Sequence, residues 1–174
     1  MLEIKAKLKT RAAAYGVKVH GRLELPFESR RTSRLRTKLA SGEEVGLMLP
    51  QGEVLRGGDL VTASDGRVIA VVAQAEKLLH VEAATAQLLA KVAYHLGSRH
   101  VPVEVGDGYL RLADDGVLEQ ALLKLGAKVS RIEAPFEPEA SADDHHGHDH
   151  DHDHDHGCSH DHGHGHGHAH PHRR

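Results

Sequence analysis

Tryptophan is absent from the 174 residues, and aromatic side chains of any kind are scarce, with two phenylalanines and three tyrosines. A protein that grips single-stranded nucleic acid stacks bases on aromatic platforms, so this supply argues against that class. Cysteine occurs once, as Cys158. No disulfide can close within the chain, which suits a reducing compartment. No apolar run approaches the roughly 20 residues that a membrane span requires, and MLEIKAKLKTR at the start lacks the apolar core of a signal peptide. A cytoplasmic protein without a membrane partner is the expectation. Also missing are a GxxxxGK[ST] loop, a nucleophile elbow and a paired CxxC. Nothing therefore points to an enzyme.

Histidine is what the chain has in excess. Fourteen of its 18 histidines lie beyond Ala140, in a segment that also holds Cys158 and reads DHHGHDHDHDHDHGCSHDHGHGHGHAHPH. The whole chain carries 22 basic and 25 acidic residues, of which this end supplies 2 and 7. The body is thus close to neutral, and the acidity belongs to the tail.

Three regions follow from the pattern. Residues 1–75 alternate polar and apolar positions in short runs, such as VKVHGRLEL from Val17 to Leu25 and RLRTKL from Arg34 to Leu39, the latter broken at Ser41-Gly42 as at a hairpin. This predicts an all-β N-terminal domain. After Ala75 the period changes. KLLHVEA reads as a strand, and ATAQLLAKVAYHLG as an amphipathic helix with Leu88, Leu89, Val92, Ala93 and Leu96 inward and a stop at Gly97. VPVEVG and YLRL form a hairpin. GVLEQALLKLG is a second helix with Val117, Leu118, Ala121, Leu122 and Leu125 inward, and KVSRIEA is a last strand. Strand, helix, strand, strand, helix, strand is the order of a ferredoxin-like βαββαβ domain, here residues 76–140. EPEASADD loses the apolar pattern and leads as a linker into residues 141–174, a tail whose composition predicts disorder. The fold class is α+β.

The tail's chemistry is metal binding. Neutral imidazole serves Ni(II), Zn(II) and Cu(II) better than it serves Mg or Ca. In an extended chain, residues i and i+2 face the same side about 7 Å apart, so alternate histidines can turn their rings onto one ion while aspartates face away. The candidate ligands are His145, His146, His148, His150, His152, His154, His156, Cys158, His160, His162, His164, His166, His168, His170 and His172. Ordering a chain costs about 1–2 kcal/mol per residue, so each such site is weak and exchangeable. A purification tag is an uninterrupted run of histidines, whereas this segment is threaded with Asp, Gly, Cys158 and Pro171. The basic run SRRTSRLRTK, with Arg30, Arg31, Arg34, Arg36 and Lys38, reads as an exposed strand face suited to an acidic partner.

Four histidines stand outside the tail. His20 and His80 sit singly in strand-like runs, where structural roles are the common outcome. His95 and His100 flank the helix stop in YHLGSRHVP. His100 falls on the connection to the next strand, where a side chain can project from a rigid scaffold. One imidazole holds a metal poorly, but a twofold-related chain can supply a second.

AYHLGSRHVPVEV (Ala93 to Val105), GLMLPQGEVLRGGDLV (Gly46 to Val61), APFEPEA (Ala134 to Ala140) and the histidine-rich end together resemble the UreE family of urease accessory nickel chaperones. The resemblance implies a homodimer with a partner-binding β domain and a ferredoxin-like metal-binding domain. It implies Ni(II) bound at the dimer interface by His100, with His95 in a capping or packing role. It also implies delivery to the urease apoprotein together with a partner GTPase. The sequence departs from some members where the hairpin reads LADDG, with Asp114 and Gly116 in place of a further histidine cluster. The competing class is a metal buffer working through the tail alone.

Overall fold

The computed structural model of the chain describes residues 2–8 and 16–140, and the described strands form two sheets that divide at Gln74. The first contains β1 (Leu2–Lys7), β2 (Gly21–Leu25), β3 (Arg34–Lys38), β4 (Glu44–Met48), β5 (Leu60–Ala63) and β6 (Val68–Ala73), in the order β2-β6-β5-β1-β4-β3. Alternation puts Ile4, Leu23, Val45, Leu47, Val61, Ile69 and Val71 into one buried cluster. Each such side chain contributes about 1.5–3 kcal/mol when withdrawn from water. The hairpin expected at Ser41-Gly42 is present: Gly42 has φ +88° and joins β3 to antiparallel β4, with Lys38 opposite Glu44.

The pattern misleads at three places in this half. Val17 to His20 lies outside any strand, because pairing with β6 starts only at Gly21 opposite Ile69. A one-turn helix, α1 (Phe27–Arg30), follows Pro26 and is too short to leave a helical period. The basic run is also not one exposed face. Arg30 on α1 is fully buried, whereas Arg34, Arg36 and Lys38 are exposed on β3.

The second sheet is built from β7 (Ala75–Glu82), β8 (Glu104–Val105), β9 (Tyr109–Ala113) and β10 (Lys128–Pro135) in the order β10-β7-β9-β8, all antiparallel. Helix α2 (Ala86–Gly97) connects β7 to β8, and α3 (Gly116–Lys124) connects β9 to β10. The expected element order appears in full. The Thr85 hydroxyl accepts from the Leu88 N–H at 3.1 Å and starts α2. The Asp115 carboxylate accepts from Val117 and Leu118 and starts α3. Val92 and Leu96 of α2 and Leu122 of α3 cover Leu79, Val81, Leu110 and Leu112 on one face of the sheet. Val117 departs from the expected inward stripe and is 79% exposed. It lies about 100° around the helix from the Leu118, Leu122 and Leu125 row.

The opposite face of this sheet meets the first half of the chain. Leu78 packs with Phe27 and Phe136, whose rings meet edge to face at 5.5 Å. The buried Arg30 guanidinium donates to Leu25 O and Leu55 O, each at 3.1 Å, to Glu137 Oε1 at 2.9 Å, and to Phe136 O. The segment read as a loose linker is therefore anchored at its start. Pro138 is buried and its carbonyl accepts from Arg56, while Glu137 Oε1 also accepts from the Gly57 N–H at 2.7 Å. A Cβ at position 57 would stand 2.9 Å from that same oxygen, so a larger residue there would push the Glu137 carboxylate aside.

Candidate metal centre

Helix α2 ends at Gly97, as the sequence suggested, but the glycine is not the left-handed residue of the stop. Gly97 is its last residue but keeps a right-handed backbone, and a Cβ there would meet nothing within 4 Å. The turn that closes it puts its left-handed residue three positions later. His100 N–H donates to Gly97 O at 2.9 Å and Val101 N–H to Leu96 O at 3.2 Å, a Schellman pair with His100 at the left-handed position. Its φ of +55° makes it the sole non-glycine residue with positive φ among the described residues.

Helix α3 offers an internal comparison. Gly126, at φ +92°, donates to Leu123 O at 3.0 Å, and Ala127 donates to Leu122 O at 3.2 Å. The same two bonds close both helices, on glycine in α3 and on histidine in α2. A left-handed backbone costs an L-residue about 1–2 kcal/mol, which the surrounding structure must hold in place. Val101 and Leu96 do this here by packing in the same apolar cluster. Exposed His100 is thus presented at the helix stop with its backbone in the left-handed conformation.

The remaining histidines have other partners. His95 is half-buried, its carbonyl accepts from the Ser98 hydroxyl at 3.0 Å, and its ring lies edge to face with Tyr94. The Nδ1 of His20 accepts from Val68 N–H at 3.1 Å. His80 stacks on Tyr109 at 4.7 Å and accepts a long 3.4 Å bond from Arg111, which also pairs with Glu104 at 3.0 Å. The LADDG segment is structural: Asp114 pairs with Arg131 at 3.2 Å, Asp115 caps α3 and Gly116 begins it. Among the described residues, no three His, Cys, Asp or Glu side chains converge on a point where one ion could sit. The tail positions His145 to His172, with Cys158, lie outside the described residues.

Sequence reading missed the polar chain that joins Arg30 to Glu137, and Glu137 in turn, through its N–H, to Glu104 Oε2 at 2.8 Å. The APFEPEA run was visible, but its role depends on partners more than 100 residues away. Near it, the Glu139 N–H donates to Val103 O at 2.9 Å. The last described residues thus run beside the segment that follows His100.

Comparison with known proteins gives the chain a family. Family models described as UreE urease accessory protein, N-terminal domain, and UreE urease accessory protein, C-terminal domain, match residues 5–74 and 76–173. The urease accessory protein UreE of Ectopseudomonas mendocina is 47% identical over 154 residues, covering 84% of this chain and 90% of that protein. That of Nitrosospira multiformis is 48% identical over 135 residues, covering 75% of this chain and 77% of its own. That of Azotobacter vinelandii is 52% identical over 127 residues, covering 71% and 76%. The matches put the chain among the urease accessory proteins. Within that class it belongs to the UreE family.

Proposed function

We propose that this chain is a nickel metallochaperone that donates Ni(II) during assembly of the urease metallocentre, and that His100 carries the ion. The observation behind this reading is the exposed His100 held at φ +55° on the stop of α2. The two hydrogen bonds of the stop fix the backbone that carries this imidazole, so less chain ordering is needed on binding, which favours a ligand. One ring is a poor site, so a homodimer with His100 of each chain at its axis makes the tight position. The domains are 1–75, which docks partners, 76–140, with the strand order of a ferredoxin-like fold and responsible for dimerisation, and the tail 141–174. Handover requires no catalytic group here, so the chain is not an enzyme; GTP hydrolysis belongs to a partner GTPase acting with the urease apoprotein in the cytoplasm. No helix among the described residues is long and apolar enough to cross a membrane.

The tail supplies further ligands. Its root is tied by Glu139 to Val103, three residues beyond His100. Six residues from Glu139 to His145 span up to about 20 Å when extended, and Val103 lies within about 11 Å of His100 along the chain. The first tail histidines can therefore reach the ion held by His100 and exchange it. Zn(II) and Cu(II) compete for the same rings in vitro.

Calorimetric titration with nickel tests the reading. A chain ending at Ala140 should take up about one tight ion per two chains, and His100→Ala should remove it. A truncated chain without a tight site overturns the proposal.

A further inference from the structure

Among the described residues, strand β3 is the outer strand of the first sheet and has one neighbour, β4. Leu49 N–H donates to Ser33 O and Leu39 N–H to Glu43 O, so the positions bonded to β4 are Ser33, Leu35, Thr37 and Leu39. Arg34, Arg36 and Lys38 turn their backbone N–H and C=O groups to the open edge. The same three residues are the exposed ones, while Leu35 and Thr37 are half-buried. Lys38 has a loose contact with Glu44 at 3.9 Å, and among the described residues neither Arg34 nor Arg36 has an ion-pair partner. Just past the strand, Ala40 N–H donates to Arg22 O at 2.9 Å, so the open edge runs only from Arg34 to Lys38.

An unpaired edge with alternating basic side chains suits an extended strand that is acidic at every second residue. Such a strand exists in this chain. Asp149, Asp151, Asp153 and Asp155 alternate with His150, His152 and His154. We infer that the metal-free tail docks on the free edge of β3 through this segment, with its aspartates beside Arg34, Arg36 and Lys38 and its histidines turned to the side of Leu35 and Thr37. Either strand direction preserves that match, since both patterns have period two. Reach is ample. Glu137 contacts Arg30, Arg34 lies within about 14 Å of Arg30 along the chain, and the twelve residues from Glu137 to Asp149 span up to about 40 Å. Docking would cover an edge otherwise open to intermolecular pairing and give the aspartates a role beyond hydration.

Hydrogen exchange followed by NMR on the full-length, metal-free chain tests this, against a full-length variant with Asp149, Asp151, Asp153 and Asp155 all changed to Asn. The body is untouched in that variant, and the Leu35 and Thr37 amides, bonded to β4, serve as an internal reference. The Arg34, Arg36 and Lys38 amides should exchange about tenfold more slowly in the native chain than in the variant. Arg34→Asp with Arg36→Asp should remove the protection, and adding Asp149→Arg with Asp151→Arg should restore it. Equal rates in native chain and variant overturn the inference, as does protection that persists without the aspartates. Protection that falls on dilution assigns the edge to a second copy and overturns docking within one chain.

Discussion

The guanidinium of Arg30 and the carboxylate of Glu137 meet at 2.9 Å across 107 residues of sequence, with Arg30 wholly buried and the Glu137 side chain about one-third exposed. Around this pair the two halves of the chain are fastened, since Arg30 also satisfies the carbonyls of Leu25, Leu55 and Phe136.

Arg30→Met should therefore destabilise the protein by about 3–5 kcal/mol, because several buried carbonyls lose their donor at once. Glu137→Gln keeps an acceptor for Arg30 and Gly57 but takes the carboxylate charge from beside a buried guanidinium, and should cost less than Arg30→Met, about 1–2 kcal/mol. Gly57→Ala places a methyl group against Glu137 and should fall between them. Urea unfolding of the three variants checks the order, and an Arg30→Met protein as stable as the native one would refute the fastening role.

Replacing His100 by glycine separates strain from function. Glycine occupies the same position in α3 as Gly126, so His100→Gly should relieve backbone strain and raise stability by about 1 kcal/mol, or a few degrees in Tm. Nickel titration of that variant should show the tight site lost. Lower stability would mean that the histidine ring, and not only the backbone, supports the helix stop.

Imidazole binds metal only when neutral, and free histidine titrates near 6.5. Nickel affinity should weaken as pH falls from about 7 to about 5, by up to about tenfold per pH unit for each participating ring. Titrations at several pH values check this slope, and pH-indifferent binding would exclude imidazole as the principal ligand.

Arg67 holds a second, purely structural pair of carboxylates. It donates to both oxygens of Glu43 at 2.8 and 2.6 Å and to Asp65 at 2.6 Å. Its side-chain hydrogen bonds keep the Glu43 carboxyl below the ordinary carboxylate range. The Arg67 backbone N–H, followed by its side chain, does the same for Asp65. Folded-state values below the unfolded ones mean that this contribution is present above the ordinary carboxylate range and is lost as pH falls through the lowered values. The acid limb of stability should flatten in Arg67→Ala, measured by urea midpoints at pH values down to about 3, and should shrink in high salt because the groups are exposed.

The helical halves of the fold were legible because Val92, Leu96, Leu118 and Leu122 repeat at helical spacing, and the β3–β4 hairpin because Gly42 marks it. Short-range pattern carries such features. It failed at α1, where one turn leaves no period, and at Arg30, whose burial depends on Phe136 and Glu137. For the candidate site, position was legible and conformation was not. Gly97 drew attention as the helix stop, whereas the left-handed backbone falls on His100, and only the hydrogen bonds of Val101 and His100 reveal it.

The bond from Glu139 to Val103 has a consequence for the metal economy of the chain. On the reading proposed above, this bond takes everything folded between those residues out of the path from His100 to the tail, and the few residues after Ala140 would set how far the first histidines reach. On that reading, lengthening that stretch would dilute the local histidine supply around His100, and shortening it would concentrate that supply. One backbone contact would then be the origin from which the reach of the tail is measured.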